Sequence, residues 1–221
     1  MGNGVMSLLV LAGTVLVLAL IAGVQLGAEE IIVVPSTHMD IDFTRPPLES
    51  LALYDQYLLA FIEAAKADPR ARFNVEHVLA VKHFLDAHPE QRAALRQLLE
   101  EGKLEISAAW TNPHFADLSG ELMVRQIACA KDFLRRELGY DAKLVKTGEL
   151  ADLTPQLAQV LAKCGVTSFQ SYKTDPGEER VCRYVGLDGS SVLLIHTHYC
   201  ILMTGGRPVR GRSSCQSKVP C

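Results

Sequence analysis

The residues best placed to do chemistry stand in Thr37-His38-Met39-Asp40-Ile41-Asp42-Phe43, directly after a run of β-branched apolar residues. In extended chain, positions two apart share a face, so His38, Asp40 and Asp42 point the same way. An imidazole and a carboxylate at that spacing can take adjacent positions on one divalent ion, and zinc accepts both. The same residues can equally form a solvated loop with a capping aspartate. A second group is Trp110-Thr111-Asn112-Pro113-His114. Its indole can stack on a sugar face at a pocket mouth or pack beneath the loop, and His114 is either a site residue or a surface histidine. A third group, Thr147-Gly148-Glu149-Leu150-Ala151-Asp152, offers Glu149 or Asp152 as a nucleophilic carboxylate or metal ligand. Asp152 also suits the amino end of the helix that follows. His196 and His198 have ligand-like spacing or are a pair of edge-strand histidines, while His77, His83 and His88 read as surface or interface residues on helices.

Each of the three groups follows a segment that reads as a strand. Ile31-Ile32-Val33-Val34 is apolar on both faces and ends at Pro35, as expected of a strand in a parallel sheet covered on both sides. Leu104 to Ser107 precedes the tryptophan loop, and Lys143 to Lys146 precedes Glu149. Between them the apolar spacing predicts helices over Tyr54–Ala67, Val78–Leu85, Glu90–Glu101 and Ser119–Leu138, with Gly102 and Gly139 as stops. Arg72 to Val75 is a further strand, Thr154 to Lys163 a helix, and Val166 to Phe169 a strand. Asp188-Gly189 between apolar runs predicts a hairpin. Strands alternating with helices make the class α/β with a parallel sheet, either open or closed into a barrel. In both, ligands gather at the carboxyl ends of the strands, where the three groups stand.

The 221 residues carry a net charge of −3, with 48% hydrophobic and 6% aromatic residues. That is enough for one globular core, and the charge balance points to no nucleic-acid partner. Residues 1–28 hold no charged side chain, and Val5 to Val24 is an apolar run about as long as a bilayer crossing. This leader reads as a signal peptide, with Gly27-Ala28 a plausible cleavage point, or as a membrane anchor. The protein is therefore expected to be secreted or anchored through residues 5–24, with membrane contact through this segment alone. The cysteines form no CxxC pair, which excludes a zinc finger. Cys129 and Cys164 fall in apolar helical patterns that predict buried, inert thiols. Cys215 and Cys221 stand in a polar tail, residues 205–221, that reads as disordered.

Four stretches between Ile31 and Tyr199 resemble, in order, the amino-terminal domain of glycoside hydrolase family 38, the α-mannosidases. His38-Met39-Asp40 with Phe43 resembles the family's H-x-D-x-x-W. Gly102 to Glu105, Trp110 to His114, Ser119-Gly120-Glu121 and Val124-Arg125-Gln126 resemble its second motif. Thr154 to Leu161 with Gly165, and Gly186 to Ser190, resemble the third and fourth. The resemblance implies a seven-stranded parallel β/α barrel over residues 29–204, a zinc ion, and retaining hydrolysis of α-mannosides. It places His38 and Asp40 among the zinc ligands, Glu149 as the nucleophile, and Phe43, Trp110 and His114 against the carbohydrate substrate. In the family an aspartate stands at the position of Glu149, and commonly another at His114, while Trp is preferred at Phe43. By the resemblance, the acid/base carboxylate and the fourth zinc ligand lie beyond residue 221, so the chain reads as a barrel cut short. Two other functions fit the same residues. One is a metal-dependent hydrolase or deacetylase using His38, Asp40 and His196 or His198 around an activated water. The other is a carbohydrate-binding protein without turnover, in which Trp110 and Phe43 contact sugar.

Overall fold

The computed structural model describes residues 34–38, 41–43, 45–148, 153–171 and 181–196. The expected strand at Ile31–Val33, the leader, Asp40, Glu149, Asp152, His198 and the polar tail lie outside these residues. Among the described residues no helix is long and apolar enough to cross a membrane.

Helix α1 (Pro47–Ala67) starts seven residues before the expected Tyr54. Pro47 supplies the reason: its fixed φ suits the first helical turn, where its missing N–H costs nothing. Tyr54, Leu58, Phe61 and Ile62 form the inward stripe of this helix, and it stops at Asp68-Pro69. After strand β1 (Phe73–Val75) come α2 (Val78–Ala87), a 3₁₀ turn (Pro89–Gln91) and α3 (Arg92–Glu100). Strand β2 (Leu104–Ile106) leads through a 3₁₀ turn (Phe115–Asp117) to α4 (Gly120–Leu138). Ser119 caps α4 by accepting from the Leu122 N–H at 3.4 Å, and Gly139 ends it in the left-handed conformation. Then follow β3 (Leu144–Lys146), α5 (Leu157–Lys163), β4 (Ser168–Ser171), β5 (Val181–Val185) and β6 (Ser191–His196). Helix α5 begins later than expected because the Thr154 hydroxyl accepts from the Leu157 N–H at 3.3 Å, which makes a turn of Thr154-Pro155-Gln156.

Strands β1 and β2 pair in parallel, as do β3 with β4 and β4 with β6. Hydrogen bonds beyond the regular ladders link them into one series. The segment before β1 lies beside it through Thr37 N–H to Asn74 O (3.1 Å) and Asn74 N–H to Pro35 O (3.0 Å). Ala108 N–H to Leu144 O, at 2.7 Å, joins the end of β2 to β3. The neighbours therefore run 35–37, β1, β2, β3, β4, β6, with parallel pairing on each side of the β2–β3 junction. Only β5 departs: it pairs antiparallel with β6 through the turn Gly186–Ser190, where Gly189 takes φ 81°. The parallel sheet thus ends in the antiparallel hairpin that Asp188-Gly189 predicts, a connection too short for a crossover.

The helices bury Leu58, Phe84, Leu95, Ile127, Leu134 and Leu161 against the strand residues Val75, Ile106, Val145 and Phe169. Two expectations fail on this packing. Cys129 is exposed, because the inward stripe of α4 is Met123, Ile127, Ala130, Lys131 and Leu134 and position 129 falls outside it. His77 is not a surface residue but is 3% exposed, and it caps α2.

Candidate active site

The parallel bridge between Ser36 and Asn74 fixes everything at this end of the sheet. Residues two further along each segment must then share the same face, and these are His38 and Glu76. The first pair is tied by Ser36 Oγ–H donating to Asn74 Oδ1 at 3.1 Å. In the second, His38 Nδ1 lies 3.0 Å from Glu76 Oε1 and 3.1 Å from Oε2. The side chain of Glu76 is only 1% exposed and that of His38 is 24% exposed. Between the pairs, Thr37 turns the other way, and its hydroxyl accepts from the Glu76 N–H at 3.0 Å. The carboxylate is thus locked by its own backbone as well as by its partner.

The tryptophan loop reaches the same point. Asn112 Nδ2–H donates to Glu76 Oε1 at 3.3 Å. The loop is pinned from beneath by α4: Trp110 N–H donates to Gln126 O at 2.8 Å, and Thr111 N–H to Gln126 Oε1 at 3.1 Å. Asn112 Oδ1 is buried and finds no hydrogen-bond partner among the described residues, so an acceptor stands beside Glu76. Trp110 itself is half-buried and meets Phe133 edge-on at 5.8 Å, against the core.

The end of β3 closes on the pair from a third side. A Cβ at Gly148 would stand 2.6 Å from His38 Cε1 and 3.0 Å from Glu76 Oε1, closer than real side chains approach. Glycine is required here because the backbone itself packs on the imidazole. Glu149 is the next residue in sequence.

Deeper in the strands, Lys146 is 3% exposed. Its ammonium donates to Ser36 Oγ. Burial pushes its pKa down, against the attraction of Glu76 and Glu105. Burial pushes the Glu105 carboxyl up, opposed by the Asn74 amide, which donates to it at 3.4 Å. His77, next to Glu76, is pushed down from 6.5 to about 4, first by burial. Its Nδ1 accepts from the Ala80 N–H at 3.2 Å and its Nε2 meets the Tyr54 hydroxyl at 3.2 Å.

Among the described residues, His38 and Asn112 of the tryptophan loop both meet Glu76, while most of the strand expected before His38, and Asp40 and Glu149, lie outside them. Phe43 is 83% exposed and His114 is exposed at the start of the 3₁₀ turn; no hydrogen bond or ring contact ties either to His38 or Glu76. Asp42 adopts φ 71° in a turn closed by the Ile41–Arg45 bridge, a duty that its residue type tolerates. His196 ends β6 in register with Ser171. Among the described residues no three His, Cys, Asp or Glu side chains gather for a metal, with Asp40 and Glu149 outside that set. Sequence reasoning missed Glu76 and Asn112. Glu76 follows β1 as the other groups follow their strands, and the strand read over Arg72 to Val75 carried that signal, but the residue after it was not considered as a site.

Comparison with known proteins bears on the family and the fold. The profile of the glycosyl hydrolases family 38 N-terminal domain matches residues 28–207. Among solved structures, an α-mannosidase from Enterococcus faecalis V583 superposes with a TM-score of 0.64 at 16% identity, covering 74% of this chain and 19% of that one. A second family 38 protein from Enterococcus faecalis gives 0.59 at 16% identity, covering 75% and 18%. The 4-α-glucanotransferase from Thermococcus litoralis gives 0.55 at 20% identity, covering 74% and 27%. At these identities the likeness is one of fold, and the chain spans about a fifth to a quarter of the length of these proteins. No curated protein sequence matches it. With a profile match over most of its length and the matching fold, the chain belongs to glycosyl hydrolase family 38, whose N-terminal domain it carries.

Proposed function

We propose that this domain is a zinc-dependent glycosidase site of the α-mannosidase type, built on a seven-stranded parallel β/α barrel to which the described strands contribute. The observation that carries the reading is the His38–Glu76 pair beneath Gly148, at the carboxyl ends of neighbouring parallel strands. The residues present fit the metal. An imidazole whose Nδ1 is taken by a carboxylate keeps Nε2 for a ligand bond, and zinc accepts nitrogen and carboxylate oxygen together. His38, Asp40 and Glu149 would hold the ion. Zinc in such a site supplies charge that fixes and polarises sugar hydroxyls.

The chain's own residues do the rest. Glu149 attacks the anomeric carbon, a C–O bond to its carboxylate forms as the glycosidic C–O bond breaks, and water later releases the sugar. The aglycone departs with the bonding pair on its oxygen and takes its proton from solvent, and the later water gives its hydroxyl to the anomeric carbon as Glu149 is freed. A glutamate in place of the family's aspartate moves the attacking oxygen by about one C–C bond, a misplacement that can cost ~10²-fold in rate. Asn112 Oδ1, buried without a hydrogen-bond partner among the described residues, is suited to accept from a sugar hydroxyl. Trp110 and Phe43 supply aromatic faces, and His114 a polar contact, at the rim. Residues 5–24 would carry the domain to or across a membrane, as a signal peptide or an anchor.

The test uses 2,4-dinitrophenyl α-mannoside, whose leaving group departs without protonation. Dinitrophenol should be released, and a mannosyl adduct should map to Glu149 and vanish in Glu149→Ala. No adduct and no release, or removal of acetyl groups from acetylated sugars instead, would overturn the reading.

A further inference from the structure

We propose that Glu76 is the positioning residue for His38: it holds the imidazole as the Nδ1–H tautomer, so that Nε2 is the atom presented to the metal. This inference rests on the metal reading of His38 given above. Both carboxyl oxygens of Glu76 lie within hydrogen-bond distance of Nδ1, at 3.0 and 3.1 Å. The third contact of the carboxyl group is also a donated one, from Asn112 Nδ2–H. A group that only accepts requires the ring nitrogen to donate, and a neutral imidazole with hydrogen on Nδ1 has its lone pair on Nε2.

The carboxylate can impose this because it cannot move. The side chain is 1% exposed, the Glu76 backbone N–H donates to Thr37 Oγ1, and Asn112 belongs to a loop fastened to Gln126. Gly148 packs on the ring where it meets Glu76, since a methyl group there would stand 2.6 Å from Cε1 and 3.0 Å from both Nδ1 and Glu76 Oε1. Rotation of the imidazole would therefore have to displace either the end of β3 or a buried carboxylate. Carboxylates behind metal-bound histidines fix both tautomer and ring plane, and their loss weakens metal binding 10–100-fold.

Two measurements on the full chain test this. Zinc affinity is read by competition with a fluorescent chelator for the wild type, Glu76→Gln and His38→Ala, with thermal unfolding of the zinc-free proteins as the control for folding. Glu76→Gln preserves volume but can offer an N–H where an acceptor is needed, so its affinity should fall 10–100-fold. Independently, the side-chain nitrogen resonances of His38 in the zinc-free wild type should show a protonated Nδ1 and an unprotonated Nε2. This readout needs neither metal nor mutant, and decides the matter if Glu76→Gln fails to fold. The inference alone is overturned if His38 carries its hydrogen on Nε2, or if the wild type binds zinc and Glu76→Gln binds it equally well. Absence of zinc uptake by the wild type overturns the metal reading, and this inference with it.

Discussion

His77 gives the fold a sharp dependence on pH. It is buried, its Nδ1 accepts from the Ala80 N–H at 3.2 Å, and its Nε2 meets Tyr54. The cap requires a lone pair on Nδ1, so a second proton removes it while charging a buried ring. Burial lowers the pKa from 6.5 to about 4, with Glu76 opposing and His38 assisting. Since the folded value lies below that of the unfolded chain, protons favour the unfolded chain on acidification. The stability is fully present above about pH 6.5 and is lost as pH falls towards about 4. Each tenfold difference in proton affinity is worth about 1.4 kcal/mol, so the whole effect is about 3 kcal/mol. The lowered carboxylates Asp68, Glu101, Asp141 and Asp188 lose their contributions only below their ordinary values of 3.8 to 4.5. Glu105, raised by burial, acts in the opposite sense near the acid end of the window. Urea unfolding at pH 7.0 and at pH 5.0 reads the difference, and His77→Asn, which keeps an acceptor at the cap, should abolish most of it. His77→Ala should in addition cost at least about 2 kcal/mol at pH 7, from the cap and the Tyr54 contact. An equal pH dependence in wild type and His77→Asn would refute the reasoning.

Gly148→Ala should destabilise the domain by about 1–3 kcal/mol by overpacking against His38, as measured by urea unfolding; an unchanged midpoint would show that β3 ends elsewhere. Gly139→Ala should cost about 1 kcal/mol from backbone strain alone, because φ is 67° and nothing lies within 4 Å of the added methyl. Cys129 is exposed, whereas burial raises the thiol pKa of half-buried Cys164, so a maleimide at neutral pH should modify Cys129 well before Cys164 by peptide mass analysis.

What could be read from the residues was whatever local physics decides. Ser119, Gly139 and the Leu134-spaced apolar stripe define α4 almost to the residue, and Asp188-Gly189 makes the hairpin. The start of α1 lies seven residues before the Tyr54 that apolar spacing marks, because Pro47, at the first helical position, opens the helix ahead of its inward stripe. Cys129 and His77 were misjudged because burial depends on which face the neighbouring element covers, and a composition-like reading of apolar surroundings does not supply that. His38 was singled out from its place after an expected strand. Its partner was not, because Glu76 lies 38 positions away and the Ser36–Asn74 register that brings the two together is a tertiary fact.

In the proposed site His38 and Asp40 would hold one zinc ion together with Glu149. Calorimetric titration of zinc into the metal-free chain tests it most directly, with His38→Ala and Asp40→Ala beside it and the exposed His114→Ala as a control. The account predicts one zinc per chain, lost in the first two variants and kept in the third. Absence of binding near neutral pH, or binding that survives His38→Ala unchanged, would contradict it.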